Sequence, residues 1–123
     1  VTKFFLTAAG VFGASGVLLG AFGAHALRDL LDEGGGGTWE TAVIYQLVHA
    51  VALTGVGLWS GMKPSKIIQI AGVCLIGGVL LFSGSLYVLV LHGPSWLGPV
   101  TPLGGVLLTA AWICIGLAAR RHA

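Results

Sequence analysis

The sequence predicts an all-α integral membrane bundle of four transmembrane helices, and three observations carry that expectation. Of 123 residues, 56% are apolar and only 8% charged, against about 25% charged in a soluble domain. The mean hydropathy is +0.98, so the chain has too little polar surface to coat itself in water. The apolar residues fall in four runs, about 4–24, 39–60, 67–91 and 102–119, each close to the ~20 residues a helix needs to span a bilayer. Most of the 21 glycines lie inside those runs, where small residues let helices approach closely. Residues 1–123 are expected to form one membrane domain.

Span one begins after Lys3. The run from Phe4 to Phe22, followed by Ala24-His25-Ala26, has the outline of a cleavable signal. It is long for a signal's apolar region and long enough to cross the bilayer, so it is read as a retained span. Gly13, Gly16, Gly20 and Gly23 make a stripe along it, and Gly16 and Gly20 have the spacing of close helix contact. Leu27, Leu30 and Leu31 alternate with Arg28, Asp29, Asp32 and Glu33. That pattern predicts a short amphipathic helix in the interface, stopped by Gly34 to Gly37 because consecutive glycines lose too much entropy in a helix.

Thr38 is expected to cap span two, with Glu40 in its first turn. Trp39 and Trp59 bracket the span as interfacial anchors. Met62 to Lys66 reads as a tight loop. Span three carries Gly72, Gly77, Gly78 and the polar patch Phe82 to Tyr87, and ends at His92-Gly93-Pro94, with Trp96 marking the interface again. Thr101-Pro102 reads as the start of span four, a capping hydroxyl before a proline. Trp112, near the middle of that span, is expected in core packing. Gly84, Gly104 and Gly105 join the first-span glycines as helix-packing positions.

Lys3, Lys63, Lys66, Arg120 and Arg121 fall on one side of a four-span chain. Arg28 and the four acids, Asp29, Asp32, Glu33 and Glu40, fall on the other. The positive-inside rule then places both termini in the cytoplasm and the chain in the cell (inner) membrane. The net charge of +2 is a topology signal. It forms no basic patch, which argues against a nucleic-acid partner.

Span two holds the candidate site. At 1.5 Å per residue, His49 lies roughly 15 Å from Trp39, near the bilayer midplane. A polar side chain at that depth is costly and therefore a functional candidate. Tyr45, Gln46 and His49 are expected on one helical face. His25, Tyr45, Gln46, Ser83, Ser85, Tyr87 and Thr101 all fall in the outer half, and the inner half is nearly apolar. The expectation is a polar pocket opening outward. The sequence leaves two readings of His49 open: a functional one, as ligand contact, proton acceptor or metal ligand, or a structural bond to Gln46, a serine or a carbonyl.

Catalytic and metal chemistry finds little support. A catalytic metal needs about three convergent ligands, whereas His25, His49 and His92 belong to separate spans or their ends. A serine nucleophile paired with His49 lacks its acid, and haem would need a second central histidine. No metal, cofactor or catalytic residue is expected. Cys74 and Cys114 have no ligand spacing and read as buried thiols.

Four motifs in order, Gly20-Ala21-Phe22-Gly23-Ala24-His25-Ala26-Leu27, Tyr45-Gln46-Leu47-Val48-His49, Phe82-Ser83-Gly84-Ser85-Leu86-Tyr87 and Thr101-Pro102-Leu103-Gly104-Gly105 with Ala111-Trp112, resemble the YgdD-type family of small four-span membrane proteins. That family is bacterial with eukaryotic relatives. The resemblance covers essentially the whole chain and implies class and topology, but no reaction. The leading expectation is a non-enzymatic binding module for a lipid-like or other small amphiphile. The alternatives are a channel or transporter formed by a homo-oligomer, and a structural subunit of a larger membrane complex. The partners expected are the bilayer and such an assembly.

Overall fold

The computed structural model describes residues 1–25 and 36–121. Four helices fill them: α1 (Thr2–His25), α2 (Gly36–Met62), α3 (Lys66–Val90) and α4 (Val100–Arg121), with one 3-10 turn at Ser95–Leu97 before α4. All four are long and apolar enough to cross a membrane. No strand occurs among the described residues. The amphipathic helix expected over Leu27 to Glu33 lies outside them.

Short connections make sequential helices antiparallel neighbours: α1 packs on α2, α2 on α3 and α3 on α4. The two ends of the molecule are tied accordingly. Thr2 hydrogen-bonds Ser60 at one end, and Trp39 reaches α1 at the other. Lys3, Lys63, Lys66, Arg120 and Arg121 are all exposed at the Thr2–Ser60 end. One apolar core draws on every helix, with Phe5 and Phe12 from α1, Leu53 from α2, Leu75 from α3 and Leu108 from α4. A second, smaller cluster of Trp39 and Val43 with Leu19, Leu47 and Tyr87 fills the opposite half between α1, α2 and α3. No comparable interface brings α2 against α4, and the space left between them becomes the site described below.

Helix ends follow local chemistry, with two departures from expectation. Ser65 caps α3, its hydroxyl accepting from the Ile68 N–H. At the other end, the Gly93 N–H bonds the Val88 carbonyl at 2.8 Å and the His92 N–H bonds the Leu89 carbonyl at 3.2 Å. This is a Schellman closure with His92, rather than glycine, in the left-handed position at φ 65°. Thr38 is not the cap of α2, because the helix already begins at Gly36. Once Trp39 is docked on α1, extending the helix through two glycines costs only about 1 kcal/mol each. Thr101 likewise does not cap α4, which begins at Val100. Pro102 still falls in the first turn, where its missing N–H is harmless, and the Thr101 hydroxyl turns instead to Ser85.

Close helix approach falls on particular glycines. A Cβ at Gly104 would strike the backbone of Phe82, with its Cα at 2.8 Å, and one at Gly16 would meet Leu47 at 2.7 Å. Gly20 lies against Val43 and Gly23 against the Trp39 indole. Gly105 is in ordinary contact range of the Phe82 ring, whereas a Cβ at Gly13 or Gly84 would meet nothing within 4 Å.

Candidate functional site

Tyr45, Gln46 and His49 do not share one face, and the reason is angular. Successive helical residues point ~100° apart, so Gln46 turns toward α1 and α3 while Tyr45 and His49 turn toward α4. Two separate polar arrangements result.

The first is a node of hydrogen bonds centred on Gln46, which is buried. Its amide N–H groups donate to the Phe12 carbonyl at 2.9 Å and to the Ser15 hydroxyl at 2.7 Å. Its carbonyl accepts from the Tyr87 hydroxyl at 2.7 Å. Ser15 passes its own proton to the Val11 carbonyl at 2.7 Å. Tyr87 stands edge-on to Trp39 with ring centroids 4.8 Å apart, and the Trp39 indole donates to the Leu19 carbonyl at 3.0 Å. Trp39 is therefore buried in the bundle and is not the interfacial anchor expected. The node fastens α1, α2 and α3 together, and both the amide nitrogen and the carbonyl oxygen of Gln46 are engaged within it.

The second arrangement ties α2 to α4 through side chains alone. The Trp112 indole donates to His49 Nε2 at 3.0 Å. An indole N–H only donates, so Nε2 carries a lone pair and the ring proton sits on Nδ1. From there it is donated to the Tyr45 carbonyl at 2.7 Å. The imidazole is thus neutral, with a tautomer fixed by its partners. Trp112 is half exposed, 47%, which corrects its expected place in the core. It is also the partner that sequence reasoning missed, although an indole at mid-span always needs an acceptor.

Beside this tie runs a groove of about 830 Å³ between α2 and α4. Ile44, Tyr45, Val48 and His49 form one wall, Gly105, Val106, Thr109, Trp112 and Ile113 the other, and the Phe82 ring lies between them. Tyr45 stacks on Phe82 at 4.4 Å and on His49 at 5.8 Å. Ile44, Val48, Val106 and Ile113 are about half exposed or more, so the groove opens sideways along the helices.

The sequence candidates are thus distributed. Tyr45 and His49 line the groove, while Gln46 and Tyr87 belong to the node. Ser83 donates to the Ala42 carbonyl at 2.7 Å, fastening α3 to α2. Ser85 donates to the Phe82 carbonyl at 3.0 Å and also bonds the Thr101 hydroxyl, joining α3 to α4. His25 is exposed at the last residue of α1. These eight residues do not line one cavity. Polar side chains buried in an apolar bundle have bonded to the nearest carbonyl or hydroxyl, as low-dielectric surroundings require, and the space left over is apolar.

Four membrane-length helices around two polar ties and a lateral groove define a small multi-span membrane protein. Residues 19–105 match the family model described as "Protein of unknown function (DUF423)". The chain is 38% identical over 121 residues to the UPF0382 membrane protein SAB0533 of Staphylococcus aureus, covering 98% of both chains. It is 38% identical over 122 residues to the UPF0382 membrane protein YwdK of Bacillus subtilis, again over 98% of both. A UPF0382 membrane protein of Haemophilus influenzae is 34% identical over 111 residues, 90% of this chain and 89% of that one. The chain belongs to this DUF423 family of uncharacterised membrane proteins. No solved structure matches it.

Proposed function

We propose that this is a non-enzymatic membrane protein whose groove between α2 and α4 holds the chain of a bilayer amphiphile. The observation that carries the reading is the groove itself. It is about 830 Å³, within the ~300–1,000 Å³ of small-molecule sites, and it is apolar-walled and laterally open along membrane-spanning helices. A cavity facing hydrocarbon is entered by what the hydrocarbon contains. The polar side chains nearby support binding over chemistry, because His49 has both ring nitrogens engaged and the groove lining contains no carboxylate among the described residues.

Both termini lie in the cytoplasm in this proposal, and the membrane is the cell (inner) membrane. The support is the exposed cluster of Lys3, Lys63, Lys66, Arg120 and Arg121 at one end. The groove then belongs to the outer leaflet, since it runs from Pro102 at the opposite end only as far as Ile113. Reporter fusions at each terminus test the topology: activity of a cytoplasm-dependent reporter at both is expected, and activity of a periplasm-dependent one at either contradicts it. The kinship with YgdD-type proteins and eukaryotic relatives is part of the same proposal, supported by the four motifs.

The groove is tested by native mass spectrometry of the protein released from its own membrane, with a Gly105→Leu variant beside it. A side chain at Gly105 projects over the Phe82 ring and narrows the groove between its two walls. The expected result is a discrete lipid-sized mass on the wild type that the variant loses. Equal retention by both proteins contradicts the reading. A foreign subunit, or a homo-oligomer with nothing bound, would favour the structural or channel alternatives instead.

A further inference from the structure

Resting on that groove, the geometry points to an ester-linked glycerolipid as its occupant, held by a hydrogen bond from the Tyr45 hydroxyl to a lipid ester carbonyl. Four polar side chains line the groove: Tyr45, His49, Thr109 and Trp112. His49 uses Nδ1 on the Tyr45 carbonyl and Nε2 on Trp112. Trp112 has spent its single N–H on that bond. The Thr109 hydroxyl donates to the Gly105 carbonyl at 2.9 Å. The Tyr45 hydroxyl is the polar group of the wall that has no partner among the described residues, and Tyr45 is 41% exposed. Its ring is held by stacking on Phe82 at 4.4 Å and His49 at 5.8 Å, which keeps the hydroxyl from turning toward a partner in the protein. A phenol O–H in hydrocarbon without an acceptor is costly, so the occupant should bring one.

Depth narrows the acceptor. His49 is the midpoint of α2, which runs Gly36–Met62. Tyr45 lies four residues, about 6 Å, from it toward the α2 N-terminus. A helical tyrosine leans further in that same direction. The edge of the hydrocarbon core is about 15 Å from the midplane, so the hydroxyl approaches the level where acyl chains meet their glycerol esters. Below it, Val48, Val106 and Ile113 offer an apolar wall down to the middle of the membrane, which suits a single chain continuing from the carbonyl. A quinone fits less well. Its two ring carbonyls face opposite ways, and the wall offers one open donor.

The test is native mass spectrometry of the full chain in nanodiscs of equimolar diacyl phosphatidylglycerol and its dialkyl ether analogue, matched in chain length and distinguished by mass. The wild type is expected to retain the ester lipid over the ether about threefold, the size of an average polar bond between helices in a membrane. Tyr45→Phe preserves the stacking and should bring the ratio to about one while lipid is still retained. Gly105→Leu should retain neither lipid. A ratio near one in the wild type, with retention still lost in Gly105→Leu, overturns the ester inference and leaves the groove standing. Equal retention in Gly105→Leu removes the groove itself. A quinone retained on the wild type after release from its own membrane, in a Tyr45-dependent way, overturns the choice of glycerolipid.

Discussion

Residue by residue, the polar side chains of this bundle were legible as positions and not as partners. Gln46 and His49 stand out in an apolar run, and the sequence flags both. The sequence cannot say that Gln46 bonds Phe12, Ser15 and Tyr87 across 31 to 41 positions of chain, because those partners are set by helix rotation and depth. Gln46→Leu leaves the half-buried Tyr87 hydroxyl without its acceptor. The expected loss is about 1–2 kcal/mol, since membrane hydrogen bonds average ~0.6 kcal/mol and three are removed. Steric-trapping measurements of unfolding in lipid would read it, and a stability equal to wild type would deny the node its structural role. For His49, ¹⁵N spectra of histidine-labelled protein should give a protonated Nδ1 and an unprotonated Nε2. Trp112→Phe should shift the Nε2 resonance, which loses its donor, while the Nδ1 proton stays bonded to the Tyr45 carbonyl and the fold stays intact. A wild-type proton on Nε2 would mean that the tie between α2 and α4 does not form.

At the scale of the element, four helices could be read from apolar length alone, but their ends and contacts could not. Thr38 and Thr101 carry the chemistry of caps, yet packing extends both helices past them. Trp39 has the position of an interfacial anchor and is drawn inward by an available carbonyl on α1. A glycine motif likewise does not say which glycines touch a neighbour. Gly104→Ala forces a methyl onto the Phe82 backbone and should cost about 1–3 kcal/mol. Gly84→Ala, facing open space, should be neutral or gain up to ~1 kcal/mol from helix propensity. Equal effects of the two would contradict the α3–α4 packing. His92→Gly should stabilise the α3 terminus by roughly 1 kcal/mol through relief of the left-handed backbone. Gly93→Ala should destabilise it, since its methyl meets the Val88 carbonyl oxygen at 2.7 Å. Thermal unfolding of the two variants in the same detergent checks the pair.

For the whole molecule, composition decides the class and leaves the site undecided. The one-sided polarity of the sequence suggests an outward polar pocket. In the structure those groups are consumed as ties between helices, and the open space forms where α2 and α4 fail to pack. A gap between elements far apart in sequence leaves no local mark: Gly105, Phe82 and Trp112 meet Tyr45 and His49 only once α2, α3 and α4 are in place. The central claim is that this gap is filled by the bilayer. Nuclear Overhauser spectroscopy of the protein in nanodiscs of protonated lipid, with only the aromatic side chains protonated, tests it most directly. Phe82 is the telling ring, because it lies between the groove walls and not on the outer surface. Contacts from acyl methylene protons to Phe82 and Trp112 are predicted, comparable to those reaching the outward-facing Phe4 and Phe22. If Phe4 and Phe22 give such contacts and Phe82 gives none, the groove is closed to lipid and the account is wrong.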